Sequence, residues 1–290
     1  MAQIYRVESM ERIREAVERA KGSGIADAPP LERSGPALQP QYLPNGGAVG
    51  ASQMWGAKFT LNAAHLESNR IIAHDIQDPR SKSFDMLRTQ VLQSMELKSW
   101  QFLGVTSPTA GCGKTVVAIN LALSIARQQN KPVLLVDLDF QKPTVARYLG
   151  LKCDQGIMSV LEGQSRLTNS IVQANIREER ISVLPCEAST LNSSEWMASQ
   201  QMIAVLQEIK RDFKEWIIIF DMPPVLTGDD VITILPQIDS ILFVATVGIT
   251  TVSEIKESNK HLESASIIRV VLNKSSEMPA TYYSRYAETR

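Results

Sequence analysis

The feature that most constrains this chain is a series of short, continuous apolar runs separated by stretches of helix length. Such runs occupy residues 101–106, 133–136, 217–220, 241–245 and 267–272, with 181–184 a weaker candidate. Strict alternation would mark a sheet with one wet face. Continuous runs of four to six residues mark strands covered by helices on both faces. Between them, residues 83–97, 116–128, 194–213 and 253–263 read as helices. The expected fold is α/β, a doubly wound and mostly parallel sheet, with no internal repeat.

At 290 residues and 44% hydrophobic, the chain can bury one substantial core and still carry extensions. Residues 1–22 form one expected extension. Met10, Ile13, Val17 and Ala20 recur at helical spacing over residues 4–21, charges cover the other face, and Gly22-Ser23-Gly24 stops the pattern. An apolar stripe of this kind docks either on its own domain or on a partner chain, and periodicity leaves both open. Residues 23–69 then read as a linker, mostly disordered, where Pro29, Pro30, Pro36, Pro40 and Pro44 alternate with glycines without a period. The folded domain is expected over 70–276 and a mobile polar tail over 277–290.

Bulk properties exclude several classes. A net charge of -1 and a pI near 6.4 leave no overall electrostatic footprint for nucleic acid. Cys112, Cys153 and Cys186 are odd in number and widely spaced, which fits a reducing compartment better than a disulfide framework or a zinc site. His65, His74 and His261 stand in no metal-ligand spacing. No apolar run approaches the ~20 residues that span a bilayer, and the N-terminus does not read as a signal peptide. The expected location is the cytoplasm, with any membrane contact made through a partner.

Residues 107–115 read Ser-Pro-Thr-Ala-Gly-Cys-Gly-Lys-Thr, placed between an apolar strand and a helix. Glycines at 111 and 113 let consecutive backbone N–H groups turn inward and make an anion nest at a helix N-terminus. Lys114 then reaches the β- and γ-phosphates, and the Thr115 hydroxyl can hold Mg²⁺. The usual first glycine of such a loop falls on Pro108, so this is a variant in which Gly111 and Gly113 do the work. Gly111, Cys112, Gly113, Lys114, Thr115 and Val116 are the candidate ATP-binding residues. Cys112 reads either as a small residue that fits the loop or as a thiol perturbed by the nest.

Acidic residues end two of the strands. The run at 133–136 leads into Asp137-Leu138-Asp139, and the run at 217–220 leads into Asp221-Met222-Pro223-Pro224. Ligands bind at the carboxyl edge of such sheets, and strand period two puts Asp137 and Asp139 on one side. Three carboxylates around a triphosphate repel unless a divalent cation sits among them, which suits Mg²⁺ held through few protein ligands. Thr115, Asp137 and Asp221 are the candidate metal ligands, and Lys114, Asp137 and Asp139 the candidate catalytic groups. Asp229 and Asp230 read as helix caps.

Together, residues 107–115, residues 133–139 with Lys142-Pro143, and residues 217–224 resemble three motifs of the bacterial tyrosine kinases of the CpsD/CapB type, whose P-loop fold is related to the MinD/ParA ATPases. The resemblance runs from about residue 70 to 274. It implies a P-loop NTPase fold that binds ATP and Mg²⁺. It also implies that Asp137 and Asp139 polarise the metal site, one of them taking the tyrosine proton, that Asp221 holds the metal through water, and that Asn273 meets the adenine. Thr109 stands where the partitioning ATPases carry lysine, which favours the kinase branch. Gln141 stands where the kinases usually carry arginine, and only Arg88 matches the Glu-x-x-Arg-x-x-Arg oligomerisation segment that falls on Lys82, Asp85 and Arg88. Three of the six tyrosines, Tyr282, Tyr283 and Tyr286, lie in the last nine residues and are the candidate phosphoacceptors. By this resemblance the partner is a membrane-embedded polysaccharide chain-length regulator, a Wzz-like co-polymerase. The kinase is then recruited to the inner face of the cell membrane, with a homo-oligomer as a further possibility. A nucleotide-gated scaffold without tyrosine kinase activity is the alternative.

Overall fold

A computed structural model describes residues 3–6, 56–128 and 131–275, with side chains placed from residue 56 onward. Nine strands among the described residues form one sheet: β1 (Gln3–Arg6), β2 (Lys58–Thr60), β3 (Phe102–Thr106), β4 (Val133–Asp137), β5 (Val172–Ile176), β6 (Glu179–Leu184), β7 (Ile217–Asp221), β8 (Ser240–Thr246) and β9 (Ile267–Asn273). The helices in chain order are α1 (Ala63–Ser68), α2 (Ser81–Lys98), α3 (Lys114–Ala126), α4 (Val145–Leu149), α5 (Ile157–Leu161), α6 (Leu167–Ser170), α7 (Ser193–Ala198), α8 (Gln200–Asp212), α9 (Asp230–Ile234) and α10 (Val252–His261).

The strand order is β1-β9-β8-β3-β7-β4-β6-β5-β2, and every pairing is parallel except β1 with β9 and β5 with β6. The parallel pairings follow from the continuous apolar runs. Along β7, Ile217 and Ile219 join the core on one face, while Ile218 and Phe220 join the core on the other. Each face therefore buries alternate residues of the same strand, and each fully buried Leu, Ile or Phe contributes about 1.5–3 kcal/mol. Helices α2 and α3 cover the first face and α8 and α10 the second. The doubly wound expectation is met.

Eleven of the thirteen residues of α3 are buried, so its polar members need partners inside the protein. Ser124 donates to Asp85 Oδ1 (2.8 Å), and the Asp85 carboxylate also accepts from Arg127 (3.0 Å) and Arg88 (3.1 Å). Arg88 donates in turn to the Ser124 carbonyl at 2.9 Å. Asp85 and Arg88 thus tie α2 to α3 within one chain.

Three expectations are corrected. Residues 4–6 belong to strand β1 and not to a helix, because pairing with β9 covers an otherwise open sheet edge. The rest of the expected N-terminal helix lies outside the described residues, as do residues 23–55 of the linker and the tail beyond Ser275. The linker ends earlier than expected: β2 pairs with β5 and α1 packs on α4 before residue 70. The expected helix over 194–213 is two helices, since Ser199 turns extended (φ -70°, ψ 152°) and its side chain accepts from Met202 N–H at 3.0 Å. That bond is an N-cap, which competes with helix continuation.

His74 is 1% exposed and neither ring nitrogen has a hydrogen-bond partner. Burial, then the Arg177 charge, holds its pKa below the ordinary histidine value, against weaker opposing pulls from Glu67, Asp75 and Glu179. A proton on this ring favours the unfolded chain. Its stability contribution is complete above the ordinary value near 6.5 and is lost as pH falls below it. Urea midpoints measured at pH 7.5 and 5.5 should therefore differ less in His74→Phe than in wild type.

Candidate functional site

Strand β3 delivers residues 107–113 to the N-terminus of α3 at the carboxyl edge of the sheet. Gly111 (φ +81°) and Gly113 (φ +89°) are left-handed, a conformation that glycine adopts without steric cost. The loop is braced from the far strands. Asn273 Nδ2 donates to the Cys112 carbonyl at 2.9 Å, Thr246 Oγ1 donates to the same oxygen at 3.3 Å, and Lys274 Nζ donates to the Gly111 carbonyl at 2.8 Å. The Cys112 side chain is buried, with Sγ 3.9 Å from Thr109 Oγ1 and 3.7 Å from Thr250 Oγ1. Cys112 therefore offers the site its backbone and not its thiol.

Strands β4 and β7 are paired neighbours, Asp137 beside Asp221, so their terminal carboxylates meet. Lys114 Nζ lies 2.7 Å from Asp139 Oδ2 and 3.9 Å from Asp221 Oδ1. Thr115 Oγ1 donates to Asp221 Oδ2 at 2.6 Å and lies 3.3 Å from Thr144 Oγ1. Burial works against the Lys114 charge, but the carboxylates of Asp221 and Asp139 outweigh it and raise the ammonium's pKa. Burial raises that of Asp221, against the pull of Lys114 and Thr115. Asp137 is pushed up to about 8, by burial first and the Asp221 charge second. Its oxygens are already taken: Oδ1 by the N–H of Asp139 (3.2 Å), Oδ2 by those of Thr144 and Val145 (both 3.0 Å).

A cavity of about 420 Å³ opens over this cluster. Of the expected residues, Gly111, Gly113, Lys114, Thr115, Val116 and Asp139 line it; Asp137, Asp221, Cys112 and Asn273 stand behind the lining. Sequence reasoning missed Arg70, Thr144 and Tyr148, which also line it, as does Lys274 beside Asn273. Arg70 arrives from a loop that no periodicity marks. Gln141 lines the cavity too, and its Nε2 donates to Ser193 Oγ and Asp230 Oδ2, both at 3.0 Å. Asp229 occupies the N-cap position of α9 without a side-chain cap bond, and both aspartates accept from Ser194. Their expected capping role is therefore replaced by a tie between α7, α9 and Gln141. Tyr282, Tyr283 and Tyr286 lie outside the described residues.

The donor set fits Mg²⁺. Asp221 Oδ1 is buried and has no hydrogen-bond partner, and the Thr115 hydroxyl sits on the same carboxylate. Among the described residues no three His, Cys, Asp or Glu side chains form a ready-made cage. A cation here would be held by Thr115 and Asp221, with Asp137 behind them, completed by phosphate oxygens and water as Mg²⁺ commonly is.

The AAA_31 family of AAA domains matches residues 102–264, more than half the chain, including the phosphate loop and Asp137, Asp139 and Asp221. The chain belongs to that AAA domain family. Within the same family resemblance, it is 29% identical over 235 residues to the putative tyrosine-protein kinase EpsB of Ralstonia nicotianae, covering 78% of this chain and 30% of EpsB. It is 25% identical over 211 residues to the putative tyrosine-protein kinase CapB of Staphylococcus aureus, covering 72% of this chain and 90% of CapB. The chain thus spans less than a third of EpsB and corresponds to most of CapB. The kinase domain of the Escherichia coli tyrosine kinase ETK superposes with a TM-score of 0.64 at 23% identity, over 78% of this chain and 91% of that domain. These matches agree with the resemblance to bacterial tyrosine kinases carried by the three motifs of this AAA domain, and the ETK likeness extends to the fold. No helix among the described residues is long and apolar enough to cross a membrane.

Proposed function

We propose that this chain is an ATP- and Mg²⁺-dependent protein-tyrosine kinase that phosphorylates tyrosines of its own tail and regulates exopolysaccharide export. One observation carries the reading. A buried ammonium and three carboxylates converge under a glycine loop, and Lys114 and Asp139 among them line a cavity large enough for a nucleotide's phosphates.

Each residue has a part in that reaction. Lys114 exchanges Asp139 for phosphate oxygens, and the backbone N–H groups around Gly111 and Gly113 take the rest of the phosphate charge. Thr115 and Asp221, with Asp137 behind them, would hold Mg²⁺, which would supply positive charge to the phosphates. Asp139, released by Lys114 and facing the cavity, accepts the proton of the attacking phenol. Asp137 has its oxygens committed to three backbone N–H groups, so its part is to shape residues 139–145 and to bias the local charge. Catalysis of this kind is positioning plus electrostatic stabilisation of an in-line transfer. Asn273, which braces Cys112, borders the adenine.

The phosphoacceptors are Tyr282, Tyr283 and Tyr286, each gaining about −1.5 to −2 charges when modified. The partner is a membrane-embedded chain-length regulator that recruits the kinase to the inner face of the membrane, and transfer between copies would make the active form a homo-oligomer. A second reading, a nucleotide-gated scaffold without transfer to tyrosine, is favoured by one contact: Gln141 is tied to Ser193 and Asp230 instead of offering a cation to the cavity.

Intact mass and phosphotyrosine detection after incubation with Mg-ATP decide between the two. Wild type should gain phosphates, and a variant with Tyr282, Tyr283 and Tyr286 all changed to Phe should gain none. ATP binding without label, with the membrane partner added, would leave only the scaffold.

A further inference from the structure

Helix α1 ends in a Schellman motif. The N–H of Arg70 donates to the Glu67 carbonyl and the N–H of Ile71 donates to the Leu66 carbonyl, both at 2.9 Å. The residue that this motif requires in the left-handed conformation is Arg70, at φ +62°. Glycine is the usual occupant, because a Cβ is strained there. An arginine at this position retains a side chain where glycine would be easier, and backbone strain of this kind gathers at functional sites.

Arg70 is also held in place by the phosphate-loop helix. Asn120, fully buried on α3, uses its whole amide on this junction. Its Oδ1 accepts from the N–H groups of Ile72 (2.8 Å) and Ala73 (2.9 Å). Its Nδ2 donates to the carbonyls of Arg70 (3.1 Å) and Val116 (2.8 Å). Val116 directly follows Thr115 and lines the same cavity as Arg70. One buried amide therefore ties the backbone of Arg70 to the first turn beyond the phosphate loop. The guanidinium lines the phosphate cavity and, among the described residues, makes no hydrogen bond or ion pair.

We propose that Arg70 is a phosphate ligand of the bound nucleotide, presented into the phosphate-loop cavity from the end of α1, and that Asn120 is its positioning residue. This rests on the nucleotide-binding part of the reading above. A guanidinium delivers paired N–H donors to phosphate oxygens, which a backbone nest and a single ammonium do not supply. It would add to Lys114 in the same cavity, with α3 as the shared base.

The test uses Arg70→Gly in the full chain. Relief of left-handed strain and the added flexibility of the unfolded chain act in opposite directions, so its Tm should stay within about 2 °C of wild type or rise. Its affinity for Mg-ATP by titration calorimetry should nevertheless fall about 10-fold or more, the scale of a lost charge-assisted hydrogen bond. Arg70→Lys should recover part of the loss. Equal losses for Mg-ADP and Mg-ATP support an inner-phosphate contact, and a loss confined to Mg-ATP supports a terminal one. Asn120→Ala should weaken Mg-ATP binding in wild type and add little in the Arg70→Gly background, a coupling that a merely structural asparagine would not show. Unchanged Mg-ATP affinity in Arg70→Gly overturns the proposal. If Lys114→Met loses binding in the same assay, the nucleotide-binding reading survives that failure; if wild type binds no nucleotide, both fall.

Discussion

Lys114→Met is expected to abolish tyrosine phosphate and to lower the rate of phosphoryl transfer by about 10³-fold or more, the scale seen when a preorganised charge at a transition state is removed. The reason lies in the count of charges. One ammonium lies within 4 Å of two carboxylates, and the negative charge of Asp137 also favours its protonated form. Methionine keeps the chain's volume and its packing but leaves Asp139 and Asp221 facing each other. Two consequences separate this variant from a merely misfolded one. ATP affinity should fall about 10- to 100-fold, because the β- and γ-oxygens lose a charged donor. Stability should also acquire a pH signature. Asp221 already has a raised pKa in the folded protein, so its ionisation favours the unfolded chain. Without Lys114 that pKa rises further, and the variant should lose stability relative to wild type as pH climbs above the ordinary carboxylate range. The difference near pH 8 should be about 3 kcal/mol, the lower end for a buried pair that loses one partner. Chemical denaturation at pH 5 and pH 8 reads it directly. Undiminished phosphotyrosine in Lys114→Met would remove Lys114 from the chemistry.

How much of this was legible in the sequence follows from which interactions are local. Continuous apolar runs marked β3, β4, β7, β8 and β9 because their burial on both faces needs no knowledge of the neighbours. The glycine loop and the strand-end aspartates were legible for the same reason, since strand, loop and helix are consecutive in the chain. What escaped was built by contacts far apart in sequence. Strand β1 exists by pairing with β9, more than 260 residues away, so its local helical pattern lost to an open sheet edge. The junction at Arg70 is set by Asn120, 50 residues on, and shows in no period. Asp137 and Asp139 looked equivalent at period two, yet only Asp139 faces the cavity. The chain turns after Asp137, where its carboxylate gathers the N–H groups of residues 139, 144 and 145. The split at Ser199 turned on one hydroxyl choosing a cap, a competition that helical periodicity does not register.

Gly113→Ala should be more damaging than Gly111→Ala, although both glycines are left-handed and only one residue separates them. Each alanine meets the same backbone penalty, about 1–2 kcal/mol for a Cβ in that conformation. The difference is what the new methyl group meets. At Gly111 nothing lies within 4 Å, so strain is the whole cost. At Gly113 the Cβ would stand 2.3 Å from Asn273 Nδ2, closer than contacting atoms can approach. The Asn273 amide must rotate away, and it then surrenders its hydrogen bond to the Cys112 carbonyl, the brace between β9 and the loop. That adds about 0.5–1.5 kcal/mol for the lost hydrogen bond, since Thr246 Oγ1 still donates to the same carbonyl at 3.3 Å. Denaturant unfolding of the two variants should therefore differ by about 0.5–1.5 kcal/mol in favour of Gly111→Ala. The double variant Gly113→Ala with Asn273→Ala tests the cause, because an asparagine already absent cannot be displaced. Its total cost should fall short of the sum of the two single variants by most of that difference. Strict additivity would mean that Asn273 does not brace the loop, and equal damage at 111 and 113 would mean that backbone strain alone governs both glycines.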